Sequence, residues 1–289
     1  MPDKETGSSC IDIREDNLLD MSQEVLDILL RDHTTGRNIF WATHDYEALG
    51  SEYDYHSEIL PHLITGEHGM VVRPRVLKTK EAQTDRAKDM AEVFTPSWIC
   101  NAQNNLVDEA WFADKGKTWQ DYVRQTVLEI TCGEAPYLVS RYDAATGGPI
   151  ALKDRIGLLD RKLRIVSEHT NDGDEWLEWA KVAYQNTYGY EWQGDNLLLA
   201  RENLLSTFIE YYQEQFGEAP QQESINDIAE IISWNLWQMD GLCGTPPDFP
   251  SPGEILDYPV PDMFTTYCMI RDWETGQTIR YIDLIDRSL

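Results

Sequence analysis

The sequence predicts an α/β protein with an incomplete parallel sheet, flanked by helices and preceded by a mixed N-terminal region. Three observations predict it. The apolar run at 127–130 enters a glycine turn at Gly133 and then a helical stretch at 136–142, the strand–turn–helix order of nucleotide-binding α/β folds. A helical segment at 176–187 leads into a second short strand at 188–191, and right-handed crossovers between parallel strands require such helices on the sheet faces. A long helical pattern over 196–216 stops at Gly217 with Pro220 beyond, and an apolar stretch at 225–237 runs into a third strand at 236–240. Glycine just past the last periodic residue, with proline beyond it, is the ordinary helix stop.

The remaining elements follow in chain order. Residues 1–60 are acidic, and Met21, Val25, Leu26, Ile28, Leu29 and Leu30 fall at the spacing of a short amphipathic helix within 20–30. From 41 to 69 the chain mixes aromatics and histidines with Gly and Pro, which reads as loops and turns. His56 and His62 stand six apart, which matches neither a helical ligand pair nor a finger pattern, so they read as polar packing. Arg73, Arg75, Lys78, Lys80, Arg86 and Lys88 form a local basic patch, and Lys153, Arg155, Arg161, Lys162 and Arg164 form a second on a helical pattern over 152–166. Each reads either as a solvated run or as a contact for phosphate or an acidic partner. The Pro- and Gly-dense stretch 241–261 is loop, and strand-like pieces at 265–273 and 278–285 follow it. The expected division is an acidic N-terminal region, 1–90, followed by a larger unit, 91–289.

Composition limits the function classes. With 289 residues and 42% hydrophobic content the chain can bury a substantial core. The five cysteines include no C-x-x-C pair, so neither a disulfide framework nor a zinc ribbon is expected. No long apolar run or signal-type N-terminus is present, and the expectation is a soluble, cytoplasmic protein without a membrane partner. There are 24 basic and 51 acidic residues, a formal net charge of -27. A field of that sign opposes a DNA backbone, whose binding depends on cations that neutralise phosphates. Tight DNA binding by the chain alone is therefore not expected, whereas a basic partner would be drawn in.

Three segments carry a resemblance. They are Glu92-Val93-Phe94-Thr95-Pro96, then Leu128-Glu129-Ile130-Thr131-Cys132-Gly133, then Tyr188-Gly189-Tyr190-Glu191, with Asn235-Leu236-Trp237-Gln238-Met239-Asp240-Gly241 after them. In this order they resemble the restriction-modification methylase subunits of the S-adenosylmethionine-dependent DNA N6-adenine methyltransferase superfamily. The resemblance implies a Rossmann-like methyltransferase sheet and S-adenosylmethionine as cofactor. It places Phe94, Thr95 and Pro96 over the methionine end, Glu129 and Gly133 in the first strand turn, and Glu191 on the ribose. It also makes Trp192 a stacking wall for adenine and Asp240 the acid at the adenine amino group.

The departures are as informative as the matches. The family's Asn-Pro-Pro-Tyr tetrapeptide, which holds the flipped target base, is absent, and Thr245-Pro246-Pro247-Asp248 reads as loop. Glu134-Ala135-Pro136 stands where a second glycine is usual and places a charge near the expected cofactor site. After Asp240 too few residues remain for the rest of a seven-stranded sheet. No catalytic residue and no metal ligand is therefore nominated. Beside a structural descendant with neither ligand nor activity, two readings stay open. One is a methylase-like protein of a restriction-modification or phage-defence system whose active site is completed by a catalytic or specificity subunit. The other is a non-catalytic acidic binding protein, a defence or counter-defence factor or DNA mimic, engaging a basic nucleic-acid-handling partner.

Overall fold

A computed structural model of the chain describes residues 22–80, 83–84, 86, 95–247 and 265–285. Helix α1, Gln23–Leu30, begins where the Ser22 hydroxyl accepts from the Glu24 N–H at 3.2 Å, and it buries Val25, Leu26, Ile28, Leu29 and Leu30. From 31 to 80 the chain runs as short 3-10 turns joined by the bridges Arg31–Asn38 and Phe40–Glu58. Helices α2 (Ser97–Phe112) and α3 (Trp119–Val123) precede β1 (Val127–Glu129). Then follow α4 (Leu158–His169), α5 (Gly173–Gln185), β2 (Thr187–Glu191), α6 (Gly194–Phe216), α7 (Gln222–Asn235) and β3 (Leu236–Gln238). The hairpin β4 (Met269–Arg271) and β5 (Thr278–Arg280) and the short α8 (Ile282–Ile285) come last.

The three sheet strands are parallel in the order β1-β2-β3, with Val127 opposite Thr187 and Gly189 opposite Leu236. That is the order of one half of a doubly wound sheet. The helices expected before β2 and β3 are present, and the Gly217 backbone takes the left-handed conformation, φ 73°, that ends α6. The C-terminal strand-like pieces shorten to an antiparallel hairpin, and Ile282–Ile285 is helical rather than extended.

One predicted element is replaced. Residues 136–142 form turns instead of a helix. Their backbone groups bond outward rather than to one another: Leu158 N–H donates to Tyr137 O at 2.8 Å and Leu159 N–H to Leu138 O at 2.9 Å, tying the turn to the start of α4. Gly157 permits this approach, since a Cβ there would stand 2.3 Å from Leu138 O.

The buried core runs across residue 90. Leu26, Trp41 and Ile59 share one apolar cluster with Leu163, Leu198, Phe208 and Ile228. Gly194 marks the tightest approach: its N–H donates to Trp41 O at 3.1 Å, and a Cβ would fall 1.9 Å from Phe40 O. The N-terminal segment is thus built against the first turn of α6.

Much of the basic content is consumed internally, which departs from both readings of the two clusters. Lys78 and Arg86 are buried and bond to Asp195 at 2.9 and 3.0 Å. Arg155 pairs with Glu210 and Arg161 with Asp108, each at 2.5 Å. The Lys162 ammonium lies between the carbonyls of Gln125 and Asn186, and burial pushes its pKa down to about 7. Among the described residues no helix is long and apolar enough to cross a membrane.

Candidate functional site

The carboxyl ends of β1 and β2 open into a cleft of about 770 Å³ lined by residues of four segments. In open α/β sheets this is where ligands bind, and the volume lies in the usual range for small-molecule sites, roughly 300–1,000 Å³.

Its floor is the turn after β1. Thr131, Gly133 and Ala135 all take positive φ, at 46°, 54° and 62°. For the two residues with side chains this costs on the order of 1–3 kcal/mol each, so the surroundings must impose it. Two carboxylates do so. Glu191, at the end of β2, accepts from Gly133 N–H at 2.8 Å and from Gln193 N–H at 3.2 Å. Glu129, at the end of β1, accepts from Tyr137 N–H at 3.3 Å and Leu138 N–H at 3.2 Å. Gly189 lets the turn settle on β2, because a Cβ there would press on the Cys132 sulfur at 3.3 Å.

Of the residues nominated from sequence, Thr95, Glu129, Gly133, Glu191 and Trp192 line this one cleft. The indole N–H of Trp192 donates to the Tyr55 hydroxyl at 3.0 Å, which fixes the ring at the rim. Pro96 stands at the N-terminal end of α2 and is not part of the lining, and Phe94 lies outside the described residues. Asp240 is not brought to the cleft. Its carboxylate accepts from Leu242 N–H at 2.7 Å and Cys243 N–H at 3.1 Å, closing the turn after β3. Glu134 is a second correction: instead of placing a charge in the site it is buried outside the lining, accepting from Arg75 N–H at 2.7 Å and Tyr142 O–H at 2.5 Å.

Sequence reasoning missed Asn104, Tyr137, Gln193 and Asn196, which also line the cleft. Asn104 donates to Tyr137 O at 3.0 Å and Ile156 O at 3.1 Å, so it positions the turn. Gln193 and Asn196 carried a legible signal, being polar residues at the start of a helix directly after Glu191.

Comparison with models of known protein families, with curated proteins and with solved structures returns no match. The reading of the site therefore rests on its own chemistry.

That chemistry is one-sided. Among the described residues the lining contains two carboxyl groups and no Lys, Arg or His. Three N–H groups of the turn, those of Gly133, Tyr137 and Leu138, are taken by Glu191 and Glu129 instead of facing a phosphate as in a dinucleotide site. The first turn of α6 holds its own carboxylate, Asp195. The cleft is thus suited to a cationic or neutral ligand and unsuited to a free phosphate.

Burial pushes the Glu129 carboxyl up to about 8, against the two N–H bonds and reinforced by Glu191; burial likewise raises Glu191. A carboxyl raised above its unfolded value stabilises the fold below that value, and the stabilisation is lost as pH rises through the folded pKa. Glu129→Gln is therefore expected to gain on the wild type as pH rises from 4.5 towards 8, by at most about 1.4 kcal/mol per unit. Urea denaturation of both proteins across that range checks this, and a stability difference independent of pH would contradict it.

Proposed function

We propose that this cleft binds S-adenosylmethionine, and that the chain is an adenine-methyltransferase-like protein of a restriction-modification or phage-defence system that does not transfer methyl groups alone. The observation that carries the reading is the convergence of Thr95, Glu129, Gly133, Glu191 and Trp192 on a cleft whose lining, among the described residues, holds two acids and no cation. S-adenosylmethionine bears a sulfonium, an ammonium and a carboxylate, a net charge of about +1, and no phosphate, which suits a site of buried acids whose protonation burial favours. Glu191 has three backbone partners, Gly133, Gln193 and Trp192. A carboxylate offers about four acceptor positions, so about one remains for a ribose hydroxyl. Trp192 at the rim is placed to meet an adenine face. When bound, the cofactor would supply an electrophilic methyl group; the chain's residues would bind and orient it.

Nothing in the sequence matches the Asn-Pro-Pro-Tyr segment that aligns an exocyclic amine with the methyl, and positioning supplies much of the rate in such reactions. Purified chain with labelled cofactor and DNA should leave the DNA unlabelled. The alternative, a non-catalytic acidic protein that engages a basic nucleic-acid-handling partner, is favoured by the net charge of -27.

Calorimetry separates the two. S-adenosylmethionine should bind the wild type, and Glu191→Gln should weaken binding by about 1–3 kcal/mol through an unpaired ribose hydroxyl. If neither S-adenosylmethionine nor S-adenosylhomocysteine gives heat at millimolar ligand, the cofactor reading fails.

A further inference from the structure

Helix α2 is poorly covered for its length. Of the 16 residues in Ser97–Phe112, only Cys100 and Asn104 are buried. Trp98, Ala102, Leu106 and Ala110 stand four residues apart on the exposed side, with Trp98 72% and Leu106 64% exposed. That spacing makes one apolar stripe along the helix. Its attachment to the body is largely polar: Asn104 to the carbonyls of Tyr137 and Ile156, Ser97 N–H to Asp143 at 2.9 Å, and Asp108 and Asn105 to Arg161.

Beside the helix, β1 pairs with β2 along one edge and, among the described residues, with no strand along the other. Leu128 and Ile130 at this edge are 44% and 62% exposed. Purely parallel sheets normally cover both faces and bury their strands. An open edge next to exposed apolar side chains is also the usual template for strand addition. Val107, next to Leu106 in α2, lines the same cleft as Leu128 and Ile130, so the helix and the strand edge meet there.

We infer that the open edge of β1 and the outer stripe of α2 form a docking surface for a second, basic polypeptide that adds a strand to the sheet. Charge selects among occupants. A second copy would bring another net charge of -27 against the first, and like fields of that size oppose association. A basic chain is steered in, while the stripe offers its apolar contacts beside the exposed Glu109, with Asp108, the other acid between Leu106 and Ala110, taken by Arg161. This deepens the partner part of the proposed function and rests on that reading; Leu128 and Ile130 also line the cleft, whereas Trp98 and Leu106 do not.

The test is site-specific photo-crosslinking in the full chain, with p-benzoylphenylalanine placed at Trp98 or Leu106 in one set and at the exposed Leu49 or Met70 as controls, expressed in the native cell. The expected result is a shared adduct from Trp98 and Leu106, absent from the controls, with a polypeptide of basic composition. That polypeptide, purified, should slow hydrogen exchange at the Leu128 and Ile130 amides, and Leu106→Glu should reduce its affinity at least tenfold. Adducts between two copies, adducts within one chain, an acidic partner, no adduct at all, or protection elsewhere would each overturn the inference. S-adenosylmethionine calorimetry on Leu106→Glu keeps the two readings separable, because neither Leu106 nor Trp98 lines the cleft.

Discussion

Arg201→Met is expected to destabilise the fold by about 3–5 kcal/mol, a large part of the roughly 5–15 kcal/mol that holds a typical domain together. Arg201 is fully buried in α6 and spends its donors on backbone carbonyls. Its Nη1 reaches Leu29 O at 2.5 Å and Arg31 O at 2.9 Å, its Nη2 reaches Ser233 O at 3.1 Å and Leu236 O at 2.6 Å, and its Nε also reaches Leu236 O at 2.9 Å. These carbonyls belong to the last turns of α1 and α7 and the first residue of β3, where helix ends leave oxygens without intrahelical partners. A planar fork satisfies four of them at once and sets a cation against two helix C-termini. Methionine fills the volume and leaves the oxygens unpaired, each at about 1–3 kcal/mol before relaxation. Arg201→Lys should recover only part of the loss, since an ammonium has fewer donors and no fork. Urea midpoints of the three proteins provide the measurement. A Met variant within 1 kcal/mol, as an order-of-magnitude bound, would show that the carbonyls find other partners and that Arg201 does not hold α1 to the body.

The second large effect is expected at Asp195. Its carboxylate, in the first turn of α6, accepts from Lys78 at 2.9 Å, from Arg86 at 3.0 Å and from the Tyr46 hydroxyl at 2.7 Å. Burial alone would raise its pKa, but Lys78 and Arg86 outweigh that and hold the carboxyl far below the usual range. Asp195→Ala should cost about 3–5 kcal/mol, because it leaves two buried cations short of their shared anion. Arg86 keeps Asp45 and Gln193, so Lys78 bears most of the loss. Adding Lys78→Met to Asp195→Ala should therefore restore part of the stability, and the double-mutant cycle measures the coupling. Additive losses in that cycle would mean that Lys78 and Asp195 do not depend on each other. The same contacts explain why the first basic patch offers less to an outside phosphate than its composition suggests.

The sequence by itself determined the local elements of the sheet half. β1, β2 and β3 fall at the expected places because each is a short apolar or aromatic run bounded by punctuation: Gly133 after the first, a helix on either side of the second, Gly241 after the third. Helices α5, α6 and α7 were legible from periodicity and stop signals, which depend only on neighbours in the chain. The acidic balance was legible as a plain count. Gly133 and Glu191 could be nominated from their place at or just after a strand end, and Glu129 and Trp192 from the resemblance of the segments that hold them.

Tertiary structure alone decided what those residues touch. That Glu191 would fold back onto the Gly133 N–H, 58 positions away in the chain, is a matter of β1–β2 register. No local pattern encodes it. The helix expected at 136–142 lost to hydrogen bonds with Glu129 and with the start of α4, which repaid its backbone groups better than a short isolated helix would. Asp240 looked like a site acid in sequence and Glu134 like a stray charge beside the site, yet one closes a turn and the other bonds Arg75 and Tyr142. A carboxylate is the same letter whether it meets ligand, backbone or cation, and only the packing of distant segments chooses. The basic clusters make the same point with opposite sign: Lys78, Arg86, Arg155 and Arg161 are adjacent in sequence to other cations but meet acids brought from elsewhere. Their charge was visible in the sequence, and its neutralisation required the fold.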